Sequence, residues 1–107
     1  MYKIQYSPRA KEDLLKIKQY IVNEFDKEIA AIKVKNIITK IKNLGEYPLM
    51  GRPLSNMIDV STEYMYLVID KNYVFYRNED KCVNIIRVLD TRHDYMRALF
   101  HIREVEE

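Results

Sequence analysis

From the amino terminus, Tyr2-Lys3-Ile4-Gln5-Tyr6 alternates large apolar and polar side chains, the period of two that marks a half-buried strand. Ser7-Pro8 follows. A serine hydroxyl can satisfy an orphan helix N–H, and proline fits the first helical position. Leu14, Ile17, Ile21 and Phe25 then recur at spacings of three and four, with Lys11, Glu12, Lys16 and Lys18 largely off that stripe. This predicts an amphipathic helix over roughly residues 8 to 25. Asp26 is placed to cap a second helix, whose stripe is Ala30, Val34, Ile37, Ile38, Ile41 and Leu44. Gly45 stands where a left-handed C-terminal residue is expected, and Pro48 blocks continuation. Almost nothing joins the two helices, so they should form an antiparallel hairpin.

Residues 45 to 63 hold both glycines and two of the three prolines, and Pro48 to Pro53 must be an ordered loop of turns. Three strand-like runs follow, Tyr64 to Ile69, Tyr73 to Arg77 and Cys82 to Leu89. The polar spacers between them are short, which predicts two consecutive hairpins. Val83, Ile85, Ile86, Val88 and Leu89 make the last run apolar on both faces, so it belongs centrally in the sheet. From Asp94 a short helix carries Tyr95, Met96, Leu99, Phe100 and Ile102, and Glu104, Glu106 and Glu107 form an acidic tail. The order is β-α-α-β-β-β-α. It predicts an α+β fold: an antiparallel sheet, an N-terminal helical hairpin packed on one face, and a short C-terminal helix.

At 107 residues the chain is one domain, 1–107, since two halves would each be too short for a core. Its apolar fraction of 48% rules out a disordered polymer, and a net charge of +2 rules out a bulk polycation. The charge is uneven. Residues 1–50 hold ten Lys/Arg and six Asp/Glu, mostly helix-surface lysines, whereas residues 51–107 hold eight and ten. The basic residues of the second half are chiefly arginines, Arg52, Arg77, Arg87, Arg92, Arg97 and Arg103, accompanied by His93 and His101. Arginine binds phosphate bidentately, but the same side chains could pair with Asp90, Asp94 or Glu63. The single cysteine, Cys82, points to a reducing compartment. No signal-like or membrane-spanning stretch opens the chain, so a cytoplasmic protein is expected.

The runs Tyr64 to Ile69 and Tyr73 to Arg77, and above all Ile86-Arg87-Val88-Leu89-Asp90-Thr91-Arg92-His93-Asp94-Tyr95, resemble the C-terminal half of the RelE/ParE toxin superfamily of type II toxin–antitoxin modules. The Pro48-to-Pro53 loop and the opening Ile4 to Ala10 are similar to it as well. The resemblance implies a toxin held inactive by a cognate antitoxin, in a toxin–antitoxin hetero-oligomer. It also implies two different targets. RelE-like members cut mRNA on the ribosome without metal, and ParE-like members bind and block DNA gyrase. A ribosome-dependent mRNA endoribonuclease is the first reading. The alternatives are a non-enzymatic gyrase inhibitor and an inactive antitoxin-binding relative.

Metal-free RNA cleavage needs cations beside the scissile phosphate and groups that pass protons. Arg92 and His93 lie between the last strand and the final helix, where the resemblance places basic active-site residues. Arg92 would clamp the phosphate and His93 would move a proton. Arg87 and Arg77 are the further catalytic candidates, with Arg52, Tyr95 and Arg97 as substrate contacts; Tyr95 could stack on a base. Each has a plainer alternative: an ion pair for the arginines, a loop clamp for Arg52, core packing for Tyr95. Asp94 is expected to cap the final helix. Two departures count against the nuclease reading. Met65 stands where many relatives carry a strand arginine, and the loop from Pro48 to Ile58 offers Arg52 as its one basic residue. Two histidines and a distant cysteine give no metal-ligand spacing, and two glycines cannot build a phosphate loop, so no metal or cofactor is expected. The antitoxin is expected to dock in an apolar groove between the helical hairpin and the sheet.

Overall fold

A computed structural model describes residues 1–100. Ile102, His101, Arg103 and the acidic tail lie outside the described residues. The elements run β1 (Lys3–Tyr6), α1 (Pro8–Glu24), α2 (Lys27–Lys42), β2 (Arg52–Pro53), β3 (Met65–Ile69), β4 (Asn72–Glu79), β5 (Cys82–Asp90) and α3 (Tyr95–Phe100). Short 3-10 turns cover Asn43–Gly45 and Leu54–Asn56. Among the described residues no helix is long and apolar enough to cross a membrane.

The expected caps are in place. The Ser7 hydroxyl accepts from the Ala10 N–H at 3.0 Å, with Pro8 as the first residue of α1, and Asp26 Oδ1 accepts from the Ile29 N–H at 2.8 Å. Gly45 serves a different purpose from the one expected. No glycine of the described chain has positive φ, and α2 tightens into the Asn43–Gly45 turn instead of ending in a left-handed residue. The glycine is there because β1 passes close by. The Tyr2 N–H donates to the Gly45 carbonyl at 2.7 Å, and an added Cβ would sit 3.0 Å from the Tyr2 carbonyl oxygen.

The sheet order is β1-β5-β4-β3-β2. The three long strands form the expected antiparallel meander, and β2 adds a two-residue antiparallel edge through Arg52↔Tyr66 and Pro53↔Met65. The sheet as a whole is mixed, because β1 lies parallel to β5, from Lys3↔Cys82 to Tyr6↔Ile85. That crossover is what makes β5 an interior strand, and it accounts for the apolar residues on both its faces.

Both faces of the sheet are covered. Ala10, Ile37, Ile41 and Leu44 press on Ile69, Val74, Tyr76, Val83, Ile85 and Val88, with Leu14 and Ile17 alongside. On the other face Leu54, Phe75, Leu89 and Leu99 pack with Tyr64, Tyr66, Tyr73, Ile86 and Tyr95. Among the described residues the space between hairpin and sheet is therefore filled core, where an open apolar groove was expected. A bulge at Phe75/Tyr76 inserts Ile86 as an unpaired residue, so Val83 and Ile85 before it and Val88 after it all face the hairpin. The loop before β2 is pinned from inside. The Tyr76 hydroxyl donates to the Pro48 carbonyl at 3.0 Å and accepts from the Gly51 N–H at 3.0 Å, and Asn78 Nδ2 donates to the same carbonyl at 2.9 Å.

At Gly51 an added Cβ would lie 2.5 Å from the Tyr66 carbonyl oxygen and 2.6 Å from the Tyr76 hydroxyl. Gly51→Ala should therefore lower unfolding free energy by about 1–3 kcal/mol. Gly45→Ala, with its nearest backbone atom at 3.0 Å, should cost less. Urea unfolding of the two variants checks the order, and an equal or reversed ranking would contradict this account of the loop.

Candidate functional site

Where β1 ends, the chain turns into α1 alongside β5, and α1 takes over the edge that β1 leaves. The Ser7 N–H donates to the Ile85 carbonyl at 2.9 Å and the Ser7 hydroxyl to the Ile86 carbonyl at 2.7 Å. Two turns of helix later, Asp13 Oδ2 accepts from the Val88 N–H at 3.0 Å. The same carboxylate takes Arg87 in a two-pronged grip, Nε to Oδ2 at 2.7 Å and Nη2 to Oδ1 at 2.9 Å. Both side chains are buried, Arg87 11% and Asp13 7% exposed. The bond to Asp13 holds the Arg87 guanidinium above its ordinary range, against the opposing effect of burial. Arg87 thus faces α1 and its charge is already met.

Arg92 sits in the turn after β5 with its side chain 80% exposed. It folds back on Asp90: Nε donates to Oδ1 at 2.9 Å, Nη2 to Oδ2 at 3.2 Å, and its N–H to Oδ1 at 2.8 Å. These bonds hold the Asp90 carboxyl below its usual range and the Arg92 guanidinium above its own. His93 is exposed, and its N–H donates to the Asp90 carbonyl at 2.9 Å. Asp94 caps α3 as expected, Oδ1 accepting from the Arg97 N–H at 3.2 Å, while Arg97 itself is exposed.

Arg77 belongs to the opposite face. It lines a shallow hollow with Thr62, Glu63, Tyr64 and Phe100, and its Nη2 lies 3.5 Å from Glu79. Its Nε is buried with no hydrogen-bond partner among the described residues. Arg52 pairs across from Tyr66 on β3 and is exposed, with no side-chain hydrogen bond among the described residues. Tyr95 is half-buried and packs in an aromatic cluster, its ring centroid 5.5 Å from Tyr73 and 5.4 Å from Phe75. The candidate cations do not gather on one anion. Arg77 stands opposite Asn84. Asp90, the anchor of Arg92, is six residues further along β5, about 20 Å at the rise of a strand. Met65 is packed against the hairpin-side core.

Asp13 was not among the sequence-derived candidates. Its signal is present all the same: Ala10, Asp13, Leu14 and Ile17 share one helix stripe, and a carboxylate on an apolar stripe demands a buried cation or several N–H donors.

The family described as "ParE toxin of type II toxin-antitoxin system, parDE" matches residues 4–95. Among solved structures, the chromosomal ParDE system of P. aeruginosa aligns with a TM-score of 0.71 at 22% identity, over 84% of this chain and 96% of that one. The YoeB-YefM complex of Staphylococcus aureus aligns at 0.51 and 21% identity, over 83% and 95%. No curated protein sequence matches the chain.

Removing one partner of the Asp13–Arg87 pair leaves an uncompensated buried charge. Asp13→Ala should cost about 3–5 kcal/mol, and Asp13→Leu combined with Arg87→Met should recover much of that; chemical denaturation of the single and double variants measures both. At the exposed turn the effect is on titration. Asp90 is depressed in the folded state, so its contribution is present above its unfolded pKa and lost as pH falls through the lower folded one. In Arg92→Gln the Asp90 carboxyl should titrate higher than in the wild-type chain, by carbon-detected NMR. An unchanged midpoint would show that Arg92 is not the cause.

Proposed function

This chain belongs to the family of ParE toxins of type II toxin–antitoxin systems, and from that premise we propose that it acts without catalysis, binding and inhibiting DNA gyrase while a co-encoded antitoxin holds it in check. The observation that carries this reading is the state of the β5 arginines. A metal-free ribonuclease needs cations aimed at open space where a phosphate can enter, with a proton carrier beside them. Here Arg87 is spent on Asp13 in the interior and Arg92 on Asp90, and the two carboxylates would compete with any phosphate. His93, the proton carrier the sequence offers, stands in the Arg92 turn, far along the strand from Arg77.

A ribosome-dependent ribonuclease is the second reading. It is favoured by one feature, the face carrying Arg77 with its unpartnered Nε beside Tyr64 and Phe100. Aromatic rings next to a guanidinium suit a single-stranded nucleic acid.

Inducible expression in bacteria separates the two. Growth arrest is expected, with purified protein inhibiting gyrase supercoiling and mRNA ends unchanged in a translating extract. Arg92→Ala should leave the inhibition within about twofold, since an exposed pair contributes little. Ribosome-dependent mRNA cleavage abolished by Arg77→Ala, with supercoiling untouched, would establish the nuclease instead.

A further inference from the structure

The charges on α2 are arranged differently from those on α1. Between Glu28 and Glu46 the chain carries Lys33, Lys35, Lys40 and Lys42 and no carboxylate. All four lysines are exposed, and among the described residues none of them is in an ion pair. On α1, by contrast, Arg9 has Glu12 at 4.0 Å and Asp13 meets Arg87. A helix face that serves only solubility is better built from both signs interspersed, since opposite charges one turn apart attract and like charges repel. Four lysines without an acid among them make a face that stays positive.

The lysines fall into two rows. Ala30, Ile37 and Ile41 form the buried side of α2. The helical period puts Ile32 and Thr39, followed by Asn43 at the cap, on the opposite side, and all three are exposed. Lys35 and Lys42 run along one flank of this uncharged ridge and Lys33 and Lys40 along the other. Within each row the two lysines are about two turns, or about 10 Å, apart. A helix with its side chains is about 10–12 Å across. The major groove of duplex DNA is about 12 Å wide, admits a helix, and has a phosphate strand along each wall. Two rows of cations beside a neutral ridge match that double row of anions. Single-stranded RNA offers one row, and a second copy of this chain would set lysine against lysine.

We propose that α2 lies in the major groove of the duplex that gyrase holds, so that the toxin grips enzyme and DNA together. The inference deepens the gyrase reading above and rests on it. Lys33 and Lys40 meet the phosphates of one strand, and Lys35 and Lys42 those of the other. Phosphate contacts position a protein without reading sequence, which suits an enzyme that works on DNA of many sequences. Four such contacts bind a free duplex weakly at physiological salt. Beside bound gyrase the DNA is already at high effective concentration, and there the same contacts count.

The test uses the full chain, with inhibition of gyrase supercoiling by the wild type scored first. Titrated onto a short fluorescent duplex of mixed sequence, the wild type should lose affinity with salt at a log–log slope of about −3 to −4, the value for four phosphates. The variant Lys33→Gln, Lys35→Gln, Lys40→Gln, Lys42→Gln keeps good helix formers at all four positions. It should bind the duplex at least about tenfold more weakly and need about tenfold more protein for half-inhibition. Its binding to gyrase without DNA should stay within about twofold. Each single row changed alone should give about half the effect on a logarithmic scale. A control, Lys3→Gln, Lys16→Gln, Lys71→Gln, Lys81→Gln, removes the same charge elsewhere and should leave inhibition within about twofold. Unchanged inhibition in the α2 variant overturns the proposal, and so does an equal loss in the control. Loss of binding to DNA-free gyrase overturns it too, by making the lysines a protein contact, as does a requirement for them in ribosome-dependent mRNA cleavage. If the wild type does not inhibit supercoiling, the gyrase reading falls and this one with it; inhibition that ignores the four lysines removes this one alone.

Discussion

One carboxylate, on Asp13, ties the helical hairpin to the sheet. It accepts three hydrogen bonds, two from Arg87 and one from the Val88 N–H. All three are needed. A guanidinium that is 11% exposed has to be paired, and the edge of β5 past Tyr6 has lost the strand that would have taken its N–H groups. The geometry leaves α1 little freedom. Ser7 holds its start to Ile85 and Ile86, and Asp13 holds its second turn to Arg87 and Val88, so the helix follows β5 as a strand would. The ion pair adds less stability than its short distances suggest, because desolvating two charges offsets most of their attraction. Its effect is on register, since a slip of one residue in β5 would leave both charges buried and alone.

That commitment reaches into function. An arginine on the last strand suits a phosphate only while no carboxylate has claimed it, and Arg87 is claimed from within. The bulge at Ile86 carries the same consequence through the backbone. It gives Val88, not Arg87, to the hairpin-side core, and Arg87 reaches Asp13 on α1, which runs beside β5. The other face kept its cation with less compensation, Arg77 meeting Glu79 only at 3.5 Å between partly exposed side chains. One scaffold can therefore hold a buried arginine as a structural clamp and an open one as a contact, and fold alone does not choose between activities.

Much of the fold was legible because it is local. Ser7-Pro8, Asp26 and Asp94 cap where the pattern placed them, and the two-residue turns at Asp70-Lys71 and Asp80-Lys81 close the predicted hairpins. What stayed hidden depends on distant segments. The parallel pairing of β1 with β5 joins residues some eighty positions apart, and a strand's alternation carries no sign of its partner's direction. Gly45 looked like a helix stop because such glycines usually are; its purpose is set by Tyr2, which no local pattern reveals. The candidate arginines were found by residue type, but their availability turned on Asp13 and Asp90. Asp90 was within sight in sequence, and Asp13 lies seventy-four residues from Arg87.

The two edges of the sheet show how the chain divides its protection. On one side β1 is short, and Lys3 and Gln5 are exposed and polar, which discourages pairing with a stray strand. On the other side β2 ends after two residues, and β3 goes on with Val68 exposed and apolar. The difference does not come from a shortage of chain, since eleven residues separate β2 from β3. That segment is spent elsewhere: Leu54, Met57 and Ile58 close the core on the face opposite the hairpin. The pinned loop before β2 costs four hydrogen-bonding groups and a glycine with no room for a Cβ, yet it leaves Leu49 and Met50 outside. A backbone so firmly held gains nothing for the core from side chains in water. Rigid presentation of apolar groups lowers the entropy lost in any association they enter, so the cost of pinning this loop is not offset by folding alone.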